Sequence, residues 1–144
     1  MNDSAAPLPD RVWEFLMRWE GAGLENDPDD PGGETRYGID KSSHPGVDIK
    51  NLTEGQARAI YSQEWATSPA SSLGADLGFV YFDTEVNCGR GAARVFAQGN
   101  ADCATLLNRR DAYYRQLAQD HPRLIKFLHG WLNRTADLRK QVWL

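Results

Sequence analysis

Glu20 is placed where a general acid is expected. It follows an apolar helical stretch that includes Trp19, and Gly21 ends that helix immediately after it. The negative end of a helix dipole disfavours an anion, and apolar neighbours such as Trp19 would desolvate the carboxyl. A carboxyl that gives a proton to a leaving oxygen near neutral pH needs such surroundings, because its pKa must rise by about 2 units. We therefore predict that Glu20 is a catalytic acid.

The loop after Glu20 offers a second carboxylate. Residues 22–34 combine acids, prolines and glycines, and this composition predicts irregular structure. Asp30 stands ahead of Pro31 and within a glycine turn, so it could stay ionised in a solvated loop. Glycoside hydrolysis uses such a pair, with one acid on the glycosidic oxygen and one group serving the anomeric carbon.

Three other interpretations of this loop stay open. A calcium loop of the EF-hand type would need a third ligand where Pro31 stands and a glutamate where Gly38 stands. A phosphate-binding loop is a weak interpretation, because the pair Gly32-Gly33 lacks the other residues of the known phosphate-binding motifs. Asp-Pro steps and glycines also form turns with no further role. The three histidines are scattered without the spacing of zinc ligands, and we expect neither a metal nor a cofactor.

Helical patterns dominate the rest of the chain. Apolar spacing predicts a helix from Pro9-Asp10 to Glu20, and a capping box of Thr53 and Gln56 starts the next. A central buried helix should end at Gly89. A short strand, or half of a small hairpin, is expected within residues 35–39. The remaining predicted helices are a shorter one that stops at Gly99 and a C-terminal pair at about residues 104–119 and 123–140.

Length and charge limit the class of protein. The chain has 144 residues, which fits one domain with one core, and its net charge of -4 argues against a general nucleic-acid binder. Residues 109–140 carry eight bases against three acids. We interpret these bases as solvated helix faces; a basic side that meets an anionic polymer is the alternative.

The sequence also bears on the compartment. No run of about 18 apolar residues exists, and the first ten residues lack the basic start and apolar run of a signal peptide. We expect synthesis in the cytoplasm, no integral membrane segment and a monomer. Cys88 and Cys103 do not form a disulfide framework, and whether they are bridged stays open.

Several segments resemble one known family. The sequence "WEG" followed by "NDPDDPGGETRYGI" is similar to the signature of glycoside hydrolase family 108, the N-acetylmuramidases of phage lysis modules and of some bacterial secretion or autolysin systems. In that family an E-G-G-Y element carries the catalytic glutamate and an N-D-P-x-D-P-G-G-x-T-x-x-G-I stretch follows. Further similar segments are "DIKNLTEGQARAIYSQEW", "FDTEVNCGRGAARVFAQ" and "GWLNR", so the resemblance covers nearly the whole chain.

The resemblance implies a mainly α, lysozyme-like fold in which a helical domain and a small β lobe enclose a cleft. One domain would span residues 1–144, with an active-site helix-loop-strand unit at about 9–40. By analogy with the related phage lysozymes, Glu20 is the general acid, and Asp30 and Thr35 hold a water against the anomeric carbon. The family motif selects Asp30, whereas the phage lysozyme spacing selects Asp29; we take Asp30.

This chain departs from the family pattern at one point. Residues 20–24 read E-G-A-G-L, so the family's tyrosine is replaced in effect by Leu24, and the stretch from Glu20 to Asp27 is one residue longer. Further along, Asp83 and Asn87 are four residues apart and share one helix face. Either they hydrogen-bond within the core or they line the glycan groove. The candidate aromatic contacts to the sugar are Tyr37 and Tyr81.

The expected activity is hydrolysis of the β-1,4 bond between N-acetylmuramic acid and N-acetylglucosamine in peptidoglycan glycan strands. Two alternatives remain: a lytic transglycosylase that acts on the same bond, and a non-catalytic peptidoglycan-binding or secretion-assisting protein. Action in the periplasm or cell wall would require export through a holin or a secretion system. The biological role would be host cell lysis or cell-wall remodelling.

Overall fold

Helices dominate the structure, a computed structural model that describes residues 7–21, 23–28 and 33–144. The prediction of a mainly α protein with a little β structure is confirmed. The chain divides into two compact units, Met1–Ser71 and Ser72–Leu144. In order, the helices and strands are α1 (Asp10–Glu20), β1 (Thr35–Arg36), β2 (Ile39–Asp40), α2 (Glu54–Thr67), α3 (Ala75–Cys88), α4 (Arg90–Phe96), α5 (Cys103–Asp120) and α6 (Ile125–Gln141), with short 3-10 turns at Ile49–Asn51, Pro69–Ser72 and Pro122–Leu124.

Helix α1 forms where the apolar spacing predicts it. Four apolar side chains on one face are buried, and Pro9 occupies the N-cap, where its missing N–H is not needed. Gly21 ends the helix with φ of 69°, and its N–H donates to the Met17 carbonyl at 3.1 Å. Glycine takes this conformation without steric cost, so the helix stops directly after Glu20. The buried residues are Val12, Trp13, Phe15 and Leu16.

The β structure of the first unit is one small hairpin. Strands β1 and β2 are antiparallel, with Thr35 opposite Asp40 and Arg36 opposite Ile39. The two residues between them, Tyr37 and Gly38, have φ of 55° and 79°. Positive φ at both central positions is the pattern of a type I′ turn, which matches the twist of the flanking strands.

The expectation of a strand across residues 35–39 is therefore wrong in its extent. The chain reverses inside that segment and forms both halves of the hairpin, whereas the sequence suggested one strand or half a hairpin. The reason is the turn: most type I′ turns use asparagine or glycine at the first central position, and here that position is Tyr37.

Helix α2 begins with the predicted capping box. Thr53 Oγ1 accepts from the Gln56 N–H at 3.1 Å, and Gln56 Oε1 accepts from the Thr53 N–H at 2.9 Å. These two bonds satisfy backbone donors that the first helical turn would otherwise leave unpaired. The helix buries Ala57, Tyr61 and Trp65 along one face.

His44 connects the chain after β2 to helix α2. Its Nδ1 lies 3.1 Å from the Asp40 carbonyl oxygen, and its Nε2 lies 3.5 Å from Glu64 Oε2. Hydrogen bonds with Asp40 and then Glu64 raise the pKa of His44 to about 10, although partial burial opposes the shift. A protonated imidazole thus lies between two carboxylates, one from β2 and one from α2.

We expect this connection to stabilise the protein in a pH-dependent way. Since the pKa of His44 is raised from 6.5 to about 10, its contribution is fully present below pH 6.5 and is lost as the pH rises through about 10. The Tm difference between wild type and His44→Gln should be largest near pH ~6 and shrink near pH ~9.5 in thermal unfolding followed by circular dichroism. His129→Gln, at an exposed position, is the matched control. A difference that stays constant over this range would contradict the assignment.

The second unit consists of four helices. Gly89 ends α3 with φ of 98°, as predicted, and residues 78–84 of this helix are all buried. Helix α5 packs along α6, and α3 packs on α4 and α5. Helix α4 ends at Phe96, three residues before the predicted stop at Gly99, because residues 97–100 form turns.

Two further expectations concern cysteines and membranes. Cys88 and Cys103 form no disulfide bond with each other, both are half-buried, and each lies at a helix end. Within residues 7–21, 23–28 and 33–144, no helix combines the length and the apolar character that crossing a bilayer requires.

Candidate functional site

Glu20 lies against the hairpin of the first unit. The glutamate is half-buried at the last position of α1. A β-carbon built on Gly38 would lie 2.7 Å from Glu20 Cγ and 2.9 Å from Glu20 Cδ, and closer than 3.0 Å to Tyr61 Oη. Because real β-carbons do not approach other atoms this closely, any other residue at position 38 would force one of these side chains to move. The turn therefore packs its backbone directly against the side chain of Glu20.

The backbone of Tyr37 is fixed from two sides. Its N–H donates to the Gly21 carbonyl at 3.1 Å, which links the turn to the residue that follows Glu20. Its carbonyl accepts from the Tyr61 hydroxyl on α2 at 2.6 Å. The residue itself is half-buried. The predicted sugar contact at Tyr37 thus belongs to the same turn that covers Glu20.

Thr35 lies on β1 of the same hairpin, at the end of the acidic loop. Its N–H donates to the Glu25 carbonyl and its carbonyl accepts from the Glu25 N–H, both at 2.8 Å. The Thr35 hydroxyl donates to the Gly33 carbonyl at 3.2 Å. Asp30, predicted as the second carboxylate, and its alternative Asp29 lie outside the described residues. The bridge at Glu25 joins the two ends of the segment that contains them.

Two predicted substrate contacts lie on α3 in the second unit. Tyr81 is 5% exposed, and burial, followed by the charge of Glu85, raises the pKa of its hydroxyl. Asn87 is half-buried, and its side-chain oxygen accepts from the Tyr114 hydroxyl. The Asn87 amide is therefore oriented by a helix α5 residue.

Asp83 lies at the centre of a buried charge cluster. Its Oδ2 is 2.9 Å from Arg110 Nη1 on α5, and its Oδ1 is 2.7 Å from Arg134 Nη2 on α6. Burial alone would raise the pKa of Asp83, but the charges of Arg134 and Arg110 outweigh it and hold the pKa low. Asp83 has no exposed surface. Of the two roles considered from the sequence, groove lining and bonding within the core, the structure favours the second.

The same cluster corrects the interpretation of the basic C-terminal segment. Arg110 and Arg134 were expected on solvated faces with the other bases of residues 109–140, but they are 0% and 4% exposed. Arg110 also donates to the Tyr114 and Thr84 hydroxyls, at 2.8 and 3.0 Å. Both guanidiniums pair with Asp83, which offsets part of the cost of burying them, and the cluster joins α3, α5 and α6.

Removing the charge of Asp83 should lower the free energy of unfolding of the second unit. Asp83→Asn removes the negative charge that pairs with two buried guanidiniums, and breaking a buried pair in this way costs about 3–5 kcal/mol. Urea unfolding should show this loss, whereas the exposed control Asp120→Asn should change stability by less than about 0.5 kcal/mol. If Asp83→Asn kept wild-type stability and lost only activity, Asp83 would be a substrate contact after all.

No three His, Cys, Asp or Glu residues within residues 7–21, 23–28 and 33–144 are grouped as metal ligands would be. The first unit has a half-buried carboxyl at a helix end, and the turn that packs against it belongs to the hairpin that carries Thr35. This arrangement suits proton donation.

Gly38 and Tyr61 are the two site residues that the sequence did not single out. Gly38 was considered only as a position in a calcium loop, and Tyr61 was given no functional role. The G-I step of the family motif was a signal for Gly38, because a motif position that specifies glycine points to special backbone geometry. Nothing in the sequence connects Tyr61 to residues 24 positions earlier.

Comparison with known proteins agrees with this chemistry. The model of glycosyl hydrolase family 108 matches residues 13–89, more than half of the chain and the part that contains every predicted site residue. The protein is thus a glycoside hydrolase, of the general kind that degrades peptidoglycan. The chain belongs to glycosyl hydrolase family 108. Searches of curated proteins and of solved structures gave no match.

Proposed function

We propose that this protein is an endo-acting N-acetylmuramidase. It would cleave the β-1,4 bond between N-acetylmuramic acid and N-acetylglucosamine, with water as the acceptor. Family membership supports a glycosidase. The single observation that carries the proposal is the packing of Gly38 against Glu20, because it brings the candidate acid under the hairpin that bears Thr35.

In this proposal Glu20 protonates the leaving glycosidic oxygen. Its carboxyl is half-buried at the last position of α1, and the turn of Tyr37 and Gly38 packs against its side chain. A general acid needs a defined position from which to reach the leaving oxygen, and this packing supplies one.

Asp30 and Thr35 are proposed to hold the attacking water at the anomeric carbon. Thr35 supplies a hydroxyl on a strand whose position is fixed by the paired bonds to Glu25. Water attack on the face opposite the leaving group inverts the configuration. Inverting enzymes separate their two carboxyl groups by about 6.5–9.5 Å to leave room for that water.

The glycan contacts remain part of the proposal. Tyr37 would present its ring from the turn above Glu20. On α3, Tyr81 and Asn87 are proposed to line the groove, while Asp83 supports this helix from within. No cofactor takes part.

The biological setting is proposed from the substrate. The partner is the peptidoglycan glycan strand, and the site of action is the periplasm or cell wall. Export through a holin would fit host cell lysis by a phage, whereas a secretion route would fit cell-wall remodelling. A monomer suffices for this chemistry because every proposed group comes from one chain.

Mass spectrometry of the products tests the proposal. The protein is incubated with purified peptidoglycan and the released muropeptides are analysed. We expect fragments that carry reducing N-acetylmuramic acid ends. When the reaction is run in H₂¹⁸O, each new reducing end should carry one ¹⁸O atom from the solvent. Anhydro ends would identify a lytic transglycosylase, and binding without release of fragments would reject catalysis.

A further inference from the structure

Tyr37 adopts a backbone conformation that is unfavourable for its residue type. Its φ of 55° lies in the left-handed region, where a side chain other than glycine costs about 1–2 kcal/mol. Such a conformation persists only where surrounding contacts fix it, and it is common at functional sites. Two hydrogen bonds fix the backbone of Tyr37: its N–H donates to the Gly21 carbonyl, and its carbonyl accepts from the Tyr61 hydroxyl.

One of these contacts comes from α2, a helix that contributes no group to the proposed chemistry. Tyr61 is 1% exposed, and its hydroxyl donates to the Tyr37 carbonyl at 2.6 Å. Its ring lies edge-on to Trp13, with 6.1 Å between the ring centroids. Because packing fixes the ring, the hydroxyl has a defined position from which to hold the turn.

The same hydroxyl and the side chain of Glu20 lie on the same side of Gly38. The position that a β-carbon would take at Gly38 is within 3.0 Å of Tyr61 Oη, Glu20 Cγ and Glu20 Cδ. The Tyr61 hydroxyl and the Glu20 side chain thus border one small space, which the backbone of Gly38 fills. A shift of the turn would open that space and free the carboxyl to move.

We propose that Tyr61 is a positioning residue: its hydroxyl fixes the turn formed by Tyr37 and Gly38, and the turn fixes the Glu20 carboxyl for proton transfer. This inference rests on the proposed function, because it gives Tyr61 a role only if Glu20 is the acid. In this role Tyr61 acts through the turn and the Glu20 side chain, not on the reacting bond itself.

Tyr61→Phe tests the inference because it keeps the ring against Trp13 and removes only the hydroxyl. On soluble, uncrosslinked glycan strands we expect kcat to fall by at least about tenfold while KM changes by less than about twofold, since a displaced catalytic group lowers the rate without weakening binding. Tyr113→Phe, which removes a half-buried hydroxyl from the second unit, should keep the wild-type kcat.

A second substrate separates positioning from a general loosening of the fold. A glycan whose leaving group is dinitrophenolate needs no proton from Glu20, so Tyr61→Phe should cleave it at close to the wild-type rate. Equal losses on both substrates would show that the hydroxyl supports only the fold. An unchanged kcat on the natural strands would overturn the inference directly.

The outcomes also distinguish this inference from the proposed function. If the wild type releases no fragments, or Glu20→Gln is fully active, the proposed function fails. If both behave as expected and Tyr61→Phe is normal, only the role of Tyr61 fails. Should Tyr61→Phe not fold, 4-aminophenylalanine and 4-fluorophenylalanine at position 61 decide the question, because only the first can donate to the carbonyl and it alone should retain activity.

Discussion

Replacing Glu20 by glutamine should lower the rate of peptidoglycan hydrolysis by at least about 100-fold, the usual contribution of a general acid. Glutamine has nearly the same shape, so the packing of Gly38 against this side chain is kept and only the proton is lost. The expected change lies in kcat, because the amide can still border the bound sugar. Turnover by the two proteins is compared from the release of reducing ends.

Glu14→Gln is the matched control for this experiment. Glu14 lies on the same helix, α1, but is exposed, and the substitution makes the same change of carboxyl to amide. We expect it to hydrolyse peptidoglycan at the wild-type rate. If Glu20→Gln turned over as fast as Glu14→Gln, the catalytic acid would have to be another residue.

Gly38→Ala should abolish most of the activity without touching a catalytic group. The new methyl group would lie 2.7 Å from Glu20 Cγ, and closer than 3.0 Å to Tyr61 Oη, so one of these side chains must move. In addition, alanine at φ of 79° costs about 1–2 kcal/mol. A displacement of about 1 Å at a catalytic group lowers the rate about 100-fold, and we expect a loss of this size in kcat.

Gly55→Ala provides the comparison, since it places the same methyl group on a glycine of α2 that has open space around it. Alanine is the better helix former, so this variant should be as stable as the wild type or slightly more stable, and fully active. Wild-type kcat in a folded Gly38→Ala protein would show that the turn does not determine the position of Glu20.

Local patterns were enough to predict most helices of this fold. The end of α1 at Gly21 and the start of α2 at Thr53 follow from residues within one helical turn, because a glycine stop and a capping box are local features. The end of α3 at Gly89 has the same origin. The position of Glu20 at a helix end was predictable for this reason.

The hairpin and its supports were not predictable in the same way. Tyr37 takes a positive φ because of bonds to Gly21 and Tyr61, and neither partner is its sequence neighbour. His44 likewise finds Glu64 twenty residues further along the chain. Tertiary contacts of this kind override the preference of a single residue, so the sequence suggested a strand where the structure has a turn.

The buried charge cluster of the second unit was also not predicted from the sequence. Asp83 and Arg134 are 51 residues apart, and Arg110 belongs to a segment that resembles an ordinary solvated helix. An arginine is almost never fully buried unless it is paired, so composition alone favours the exposed interpretation. The role of Asp83 within the core therefore follows only from the structure, which places Arg110 and Arg134 beside it.

The central claim is that Glu20 supplies the proton to the leaving oxygen, and changing the leaving group tests it most directly. The rate of Glu20→Gln is measured relative to wild type on natural glycan strands and on the dinitrophenyl substrate, which leaves without a proton. The account predicts a loss of at least about 100-fold on the natural strands and a rate within about threefold of wild type on the activated substrate. A loss of equal size on both substrates would contradict the assignment of Glu20 as the general acid.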